Sequence, residues 1–174
     1  MTERPGQAST PTDPDELVEV WLLGFPLDAF ARAQEHADGL IREFTYIAQS
    51  REAGESEDVP ARLLAIVEEL TSQYGSFSIG PDAVRDAALE RGESEIDLRY
   101  LVPPAAAAAA AHLGQIFDEA DEYCRAGAHM LSLATPPAAV NFRRWFLAEF
   151  DAQLNGGAPT RWQQSAERGG ASAR

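Results

Sequence analysis

Hydrophobic positions recur along the chain at two periods, and the change from one to the other marks its elements. Leu17 to Leu23 (LVEVWLL) is short, β-branched and aromatic and is followed by Gly24 and Pro26, which predicts a strand that ends there. Glu95 to Val102 (EIDLRYLV) alternates strictly, with Ile96, Leu98, Tyr100 and Val102 on one face and Glu95, Asp97 and Arg99 on the other. Phe77 to Ile79 is a weaker third strand candidate. A bare two-stranded ribbon is marginal in water, so the strands require helices to cover them.

Elsewhere the period is helical. From Pro26 to about Glu52, Phe30, Ala33, Ala37, Leu40, Phe44 and Ile47 follow the i, i+3, i+4 rhythm of one stripe. Pro60 opens a second helix carrying Leu63, Leu64, Val67, Leu70 and Tyr74 and closed by Gly75. Pro81 opens a short third helix through Ala83, Val84, Ala87 and Leu89. The polyalanine run from Ala105 to Ala111 has the highest helix propensity available; it begins a helix at Pro104 that continues through Ile116, Phe117, Ala120, Tyr123 and Cys124. Its small side chains predict close packing. Thr135 is placed to cap a last helix with Phe142, Trp145, Phe146, Phe150 and Leu154 on its inner stripe.

The expected fold is therefore mainly α (α+β), in the order β-α-α-α-β-α-α. The helices opening at Pro26, Pro60, Pro104 and Thr135 form a bundle, and the two strands pair antiparallel at one side. Residues 1–15 and 155–174 are polar and aperiodic, which predicts a disordered N-terminal segment and a flexible C-terminal tail around a single helical domain at 16–154. In that tail only Trp162 has the surface to dock, most simply by packing locally.

Composition narrows the function classes. A chain of 174 residues with 45% hydrophobic and 24% charged residues holds one domain with a real core. A formal net charge of -14 repels phosphate backbones and anionic lipid headgroups, so nucleic acid and membrane are poor partners and a protein partner is expected to present a basic surface. The start MTERPGQASTPTDPD lacks the apolar core of a secretory signal, and the longest apolar run is about half of the ~20 residues of a membrane helix. A cytoplasmic location is the expectation, and the single Cys124 fits a reduced compartment.

Little in the chain looks catalytic. His36, His112 and His129 form neither HxxxH nor ExxH, which leaves no metal site to expect. His36, in the sequence Glu35-His36-Ala37-Asp38, is a candidate phosphoacceptor at the border of its helix, although Glu35 and Asp38 would oppose an incoming phosphate. Cys124 is followed by Arg125, which can lower a thiol's pKa, but it sits on an apolar stripe where cysteines are usually inert. Neither a nucleophile elbow nor a phosphate-cradling glycine loop occurs, and no cofactor is implied.

Two surface readings remain. An antiparallel turn between the last two helices would bring Asp118, Glu119, Asp121 and Glu122 near Arg143 and Arg144. The plain account is wet interhelical ion pairing at roughly 0–1 kcal/mol per pair. The sharper one is a docking patch of Arg143, Arg144 and Trp145 with Asp118 and Asp121, since arginine and tryptophan concentrate interface energy. Phe44, Tyr123 and Trp145 are candidates for lining an apolar ligand pocket within the bundle. A homodimer through the second strand or the aromatic face of the last helix is also compatible with the pattern.

Three segments, EHADGLIREFTYIA (35–48), FDEADEYCRAG (117–127) and LATPPAAVNFRRWFLAEF (133–150), with PTRW at 159–162, resemble a family of small actinobacterial proteins encoded beside partner-switching regulators. The resemblance spans most of residues 20–162 and supplies no reaction. It implies an accessory role in bacterial signalling or stress response, with an anti-sigma kinase, a phosphatase or a STAS-domain antagonist as partner. Arg42, Glu43, Phe44, Asp118, Tyr123, Cys124, Arg143, Arg144 and Trp145 would then be structural or interface positions. The expected function is a non-catalytic interaction protein acting by docking; the alternatives are a small-ligand sensor and a His36 phosphotransfer protein.

Overall fold

Alternation places Val20 and Leu22 of one strand and Leu98, Tyr100 and Val102 of another on one buried face, with Trp21 on the opposite side. In the computed structural model, which describes residues 16–50, 59–126 and 135–163, these strands are β1 (Val18–Pro26) and β2 (Glu95–Val102). They pair antiparallel, with Val18 opposite Val102 and Leu22 opposite Leu98, as a two-stranded sheet. The helices are α1 (Leu27–Ser50), α2 (Val59–Tyr74), α3 (Ile79–Glu90), α4 (Ala106–Arg125) and α5 (Pro137–Leu154), and a short 3-10 turn spans Gly75–Phe77. The mainly α architecture, its element order and its small antiparallel sheet agree with the hydrophobic pattern.

Gly24 does not stop β1. It takes φ +62° and makes a bulge, with the register shifting between Leu22 and Phe25. Its N–H donates to Asp97 Oδ1 at 2.6 Å, so the strand crosses the bulge and continues to Pro26. Phe77 to Ile79 is no strand. Ser78 turns back on the Gly75 carbonyl with both its N–H and its hydroxyl, and α3 starts at Ile79, two residues before the proline expected to open it. Pro81 is accommodated because the first-turn N–H groups of a helix have no internal acceptor. Thr135 does not cap α5 either: the cap position falls on Pro136 without a side-chain bond. The stretch from residue 51 toward Glu52, where α1 was expected to end, lies outside the described residues.

The helices α1, α2, α4 and α5 form a ring in which α1 lies against α2 and α5, and α4 against the same two. The buried apolar residues fall into two clusters rather than one. One joins the sheet to α5 through Val20, Leu22, Phe25, Leu98, Phe142 and Phe150. The other sits between α1, α2 and α4 and contains Leu40, Phe44, Leu63, Ile66, Ile116 and Ala120. The alanine-rich start of α4 fulfils its expected close packing only in part. Ala106 and Ala110 are buried, yet with Ala109 they border a hollow of about 180 Å³ beneath Tyr100 and Phe150.

The fold extends past the expected boundary at residue 154. The Trp162 N–H donates to the Leu23 carbonyl at 2.9 Å, and the indole packs on Trp145 and Phe142 with ring centroids 5.2 and 5.9 Å away. Arg161 pairs with Glu95 at 2.7 Å, and Thr160 bonds the buried carboxylate of Glu149 through both its N–H and its hydroxyl. Residues 156–162 are therefore docked rather than a flexible tail, because one aromatic anchor and polar contacts from Thr160, Arg161 and Trp162 hold them to α5 and the sheet.

Candidate functional site

The α4/α5 pair brings acid and base together as the turn predicted, though not on a wet surface. Arg143 Nη2 lies 2.8 Å from both Asp118 Oδ1 and Asp121 Oδ2, and its guanidinium carbon is 5.0 Å from the centre of the Phe117 ring. The Arg143 side chain is 13% exposed and that of Asp121 5%, so this pair is interior. The Thr135 hydroxyl donates to the other Asp121 oxygen. Arg144, by contrast, is 63% exposed and reaches Asp118 only at 3.3 Å, the geometry of a solvated pair.

The expected docking patch therefore does not form as a unit. Arg143 and Asp121 point inward, and Trp145 is half-buried in an aromatic group with Phe25, Phe142 and Trp162. That leaves Arg144 and the outer edge of Asp118. The same aromatic group covers the α5 face expected to pair two copies, since Phe142 and Phe150 lie against the sheet.

The expected pocket trio is also divided. Phe44 and Tyr123 meet edge to face at 5.9 Å in one apolar cluster, while Trp145 belongs to the other. Between the two clusters lies a pocket of about 220 Å³ walled by α1, α4 and α5. Phe30, Ala33, Ala37 and Leu40 line it from α1, Leu113 and Phe117 from α4, and Ala139, Phe142 and Phe146 from α5. Its polar groups are few: Gln34, His36, Thr135 and Arg143. Pattern reasoning missed Ala33, Ala37 and Ala139 as lining residues. The available signal was that small residues occupy facing stripes, where larger ones would have filled the space.

His36 belongs to this pocket rather than to an open border. Its pKa lies below 6.5, chiefly because burial disfavours the imidazolium; Arg143 pushes the same way and Asp121 opposes. Its imidazole has no hydrogen-bond partner among the described residues. The ring is thus half-buried beside the ion-paired Arg143 and Asp121 rather than presented on an open helix face. Burial, together with Asp121 and Glu43, raises the Cys124 pKa against the smaller pull of Arg125, which leaves the thiol protonated and unreactive near neutrality.

Among the described residues no cluster of His, Cys, Asp and Glu is placed to hold a metal ion, and no helix is long and apolar enough to cross a membrane. His129 lies outside the described residues. Compared with models of known protein families, with curated proteins and with solved structures, the chain matches none. A functional reading rests on its own residues and geometry.

Proposed function

We propose that this protein is a non-catalytic, ligand-binding helix bundle, a sensor that holds a small apolar molecule between α1, α4 and α5. The observation that carries the reading is the pocket of about 220 Å³ lying between two otherwise complete apolar clusters. An apolar cavity of about 150 Å³ is already large enough to take benzene, so this space exceeds an ordinary packing defect. Its apolar walls supply burial, and its few polar groups supply orientation.

The test is thermal unfolding with benzene as probe. A ligand bound only by the folded state stabilises it by about 2.7 kcal/mol at a hundredfold excess over Kd, so the melting temperature should climb with benzene concentration. Ala37→Phe, which fills the pocket from α1, should abolish the response. A melting temperature that stays constant up to benzene saturation overturns the reading.

A second reading, docking of a protein with a basic surface, is favoured by a different feature. Leu17, Trp21, Val84 and Leu101 line an open groove of about 570 Å³ between α3 and the outer face of the sheet, and Val84 is 52% exposed. The chain's net charge of -14 favours a basic partner there, and a partner-switching regulator is the class that the sequence resemblance implies. Purified partner binding that weakens with salt and disappears in Trp21→Glu/Leu101→Glu supports docking. Binding that ignores salt or survives the double substitution overturns it.

A further inference from the structure

The pocket of about 220 Å³ and the hollow beside the polyalanine run, about 180 Å³, are neighbours. Leu113, Phe146 and Leu147 line both, so these three side chains stand where the two spaces adjoin. The two spaces lie end to end along α4, the hollow against Ala106 to Leu113 and the pocket against Leu113 to Phe117. At 1.5 Å per residue, that stretch of helix is about 16 Å long. The two ends differ chemically. The pocket holds Gln34, His36, Thr135 and Arg143, whereas the hollow is walled mainly by alanines, aromatics and aliphatics, with Ser78 among them.

We infer that the two spaces form one elongated site for a single-chain amphiphile with a neutral polar head, the head at His36 and the tail reaching past Leu113, Phe146 and Leu147 to the alanine face of α4. This rests on the ligand-binding reading of the pocket and adds the shape and polarity of its occupant. The length follows from the alignment of the two spaces, and the tail direction from the apolar end. The head is neutral because Arg143 is already matched by Asp118 and Asp121, so it offers an incoming carboxylate no uncompensated charge. The imidazole of His36, which has no hydrogen-bond partner among the described residues, can accept from or donate to a hydroxyl.

The experiment compares benzene with straight-chain alcohols from butanol to decanol on the full chain, read by calorimetry or by melting temperature. In the wild type each added methylene should tighten binding about fourfold through to decanol, as expected for burial of a CH₂ group. In Ala109→Phe, which fills the hollow from a half-buried position of α4, the gain should end at shorter alcohols while benzene binds as before. His36→Phe should weaken octanol by a larger factor than it weakens benzene, and octanoate should bind less well than octanol at neutral pH; an equal change for both probes overturns the head position. If benzene binds but affinity stops rising at the same chain length in wild type and Ala109→Phe, the elongated site is wrong and the pocket reading stands. Tighter octanoate than octanol overturns the neutral head. If neither benzene nor any alcohol binds, both readings fall together.

Discussion

Arg143 is the side chain on which the α4/α5 contact turns. It holds two carboxylates, one of them buried, and stacks over Phe117, so truncation would leave Asp121 in the interior without its cation. Removing one partner of a buried ion pair typically costs about 3–5 kcal/mol, whereas replacing both with apolar groups of similar volume is often neutral. Arg143→Ala is therefore expected to be strongly destabilising and Arg143→Met/Asp121→Leu much less so, as measured by urea unfolding; equal losses in the two would contradict an interior pair. His36 gives a pH signature of the opposite kind. Burial holds its folded pKa below 6.5, so as pH falls beneath 6.5 the unfolded chain takes up a proton that the folded chain resists. Stability from this group is complete above 6.5 and declines toward the folded pKa, and His36→Gln should flatten that part of the stability-pH curve. An unaltered slope in the variant would place the imidazole in solvent.

At the scale of elements, α5 serves three neighbours: β1, α1 and α4. Residues 156–162 add a fourth layer by seating Trp162 on Phe142 and Trp145. Trp162→Ala should cost about 2–3 kcal/mol, somewhat under the value for a fully buried aromatic, because the indole is only partly covered. A chain ending at Asn155 should lose at least as much in chemical denaturation, and no loss in either would mean that the segment is not part of the fold. Much of this organisation was legible in the pattern. The strict alternation of Ile96, Leu98, Tyr100 and Val102 marks β2 because one face is buried, and the facing stripes of α1 and α4 bring Phe44 to Tyr123. Two features were not. A glycine in the left-handed region looks like a strand terminator in sequence, whereas Gly24 makes a bulge paid back by its bond to Asp97. The docking of Thr160 to Trp162 depends on Glu149 and Leu23, partners remote from a segment that has no period of its own. The same limit hid the pocket: periodicity says which residues face inward and is silent on whether they fill the space they face. Trp145 was misplaced for this reason, since the α5 stripe is wide enough to face the sheet as well as the bundle.

Over the whole molecule, an acidic surface encloses an interior whose two apolar clusters are bridged by α1 and α4, each of which places residues in both. Burying a ligand between them would couple the sheet end to the bundle end, because the pocket walls come from residues packed on each cluster. The sheet end carries one more arrangement. Gln153 on α5 accepts from the Trp21 N–H at 2.9 Å and donates to the Trp21 carbonyl at 2.8 Å, while the carbonyl of Leu23 is taken by Trp162. One amide side chain thus imitates the backbone of a missing third strand. Unpaired strand edges act as templates for other chains, and these bonds leave fewer free groups on this stretch of edge for a second chain to pair with. Gln153→Ala in a chain ending at Asn155, which removes both the amide and the Trp162 N–H, should sediment with an average mass that rises with concentration more steeply than wild type, and identical sedimentation would mean that the edge is protected by something else. What looks like a minor hydrogen bond at the end of a helix would then set the concentration at which the protein stays in solution as separate molecules.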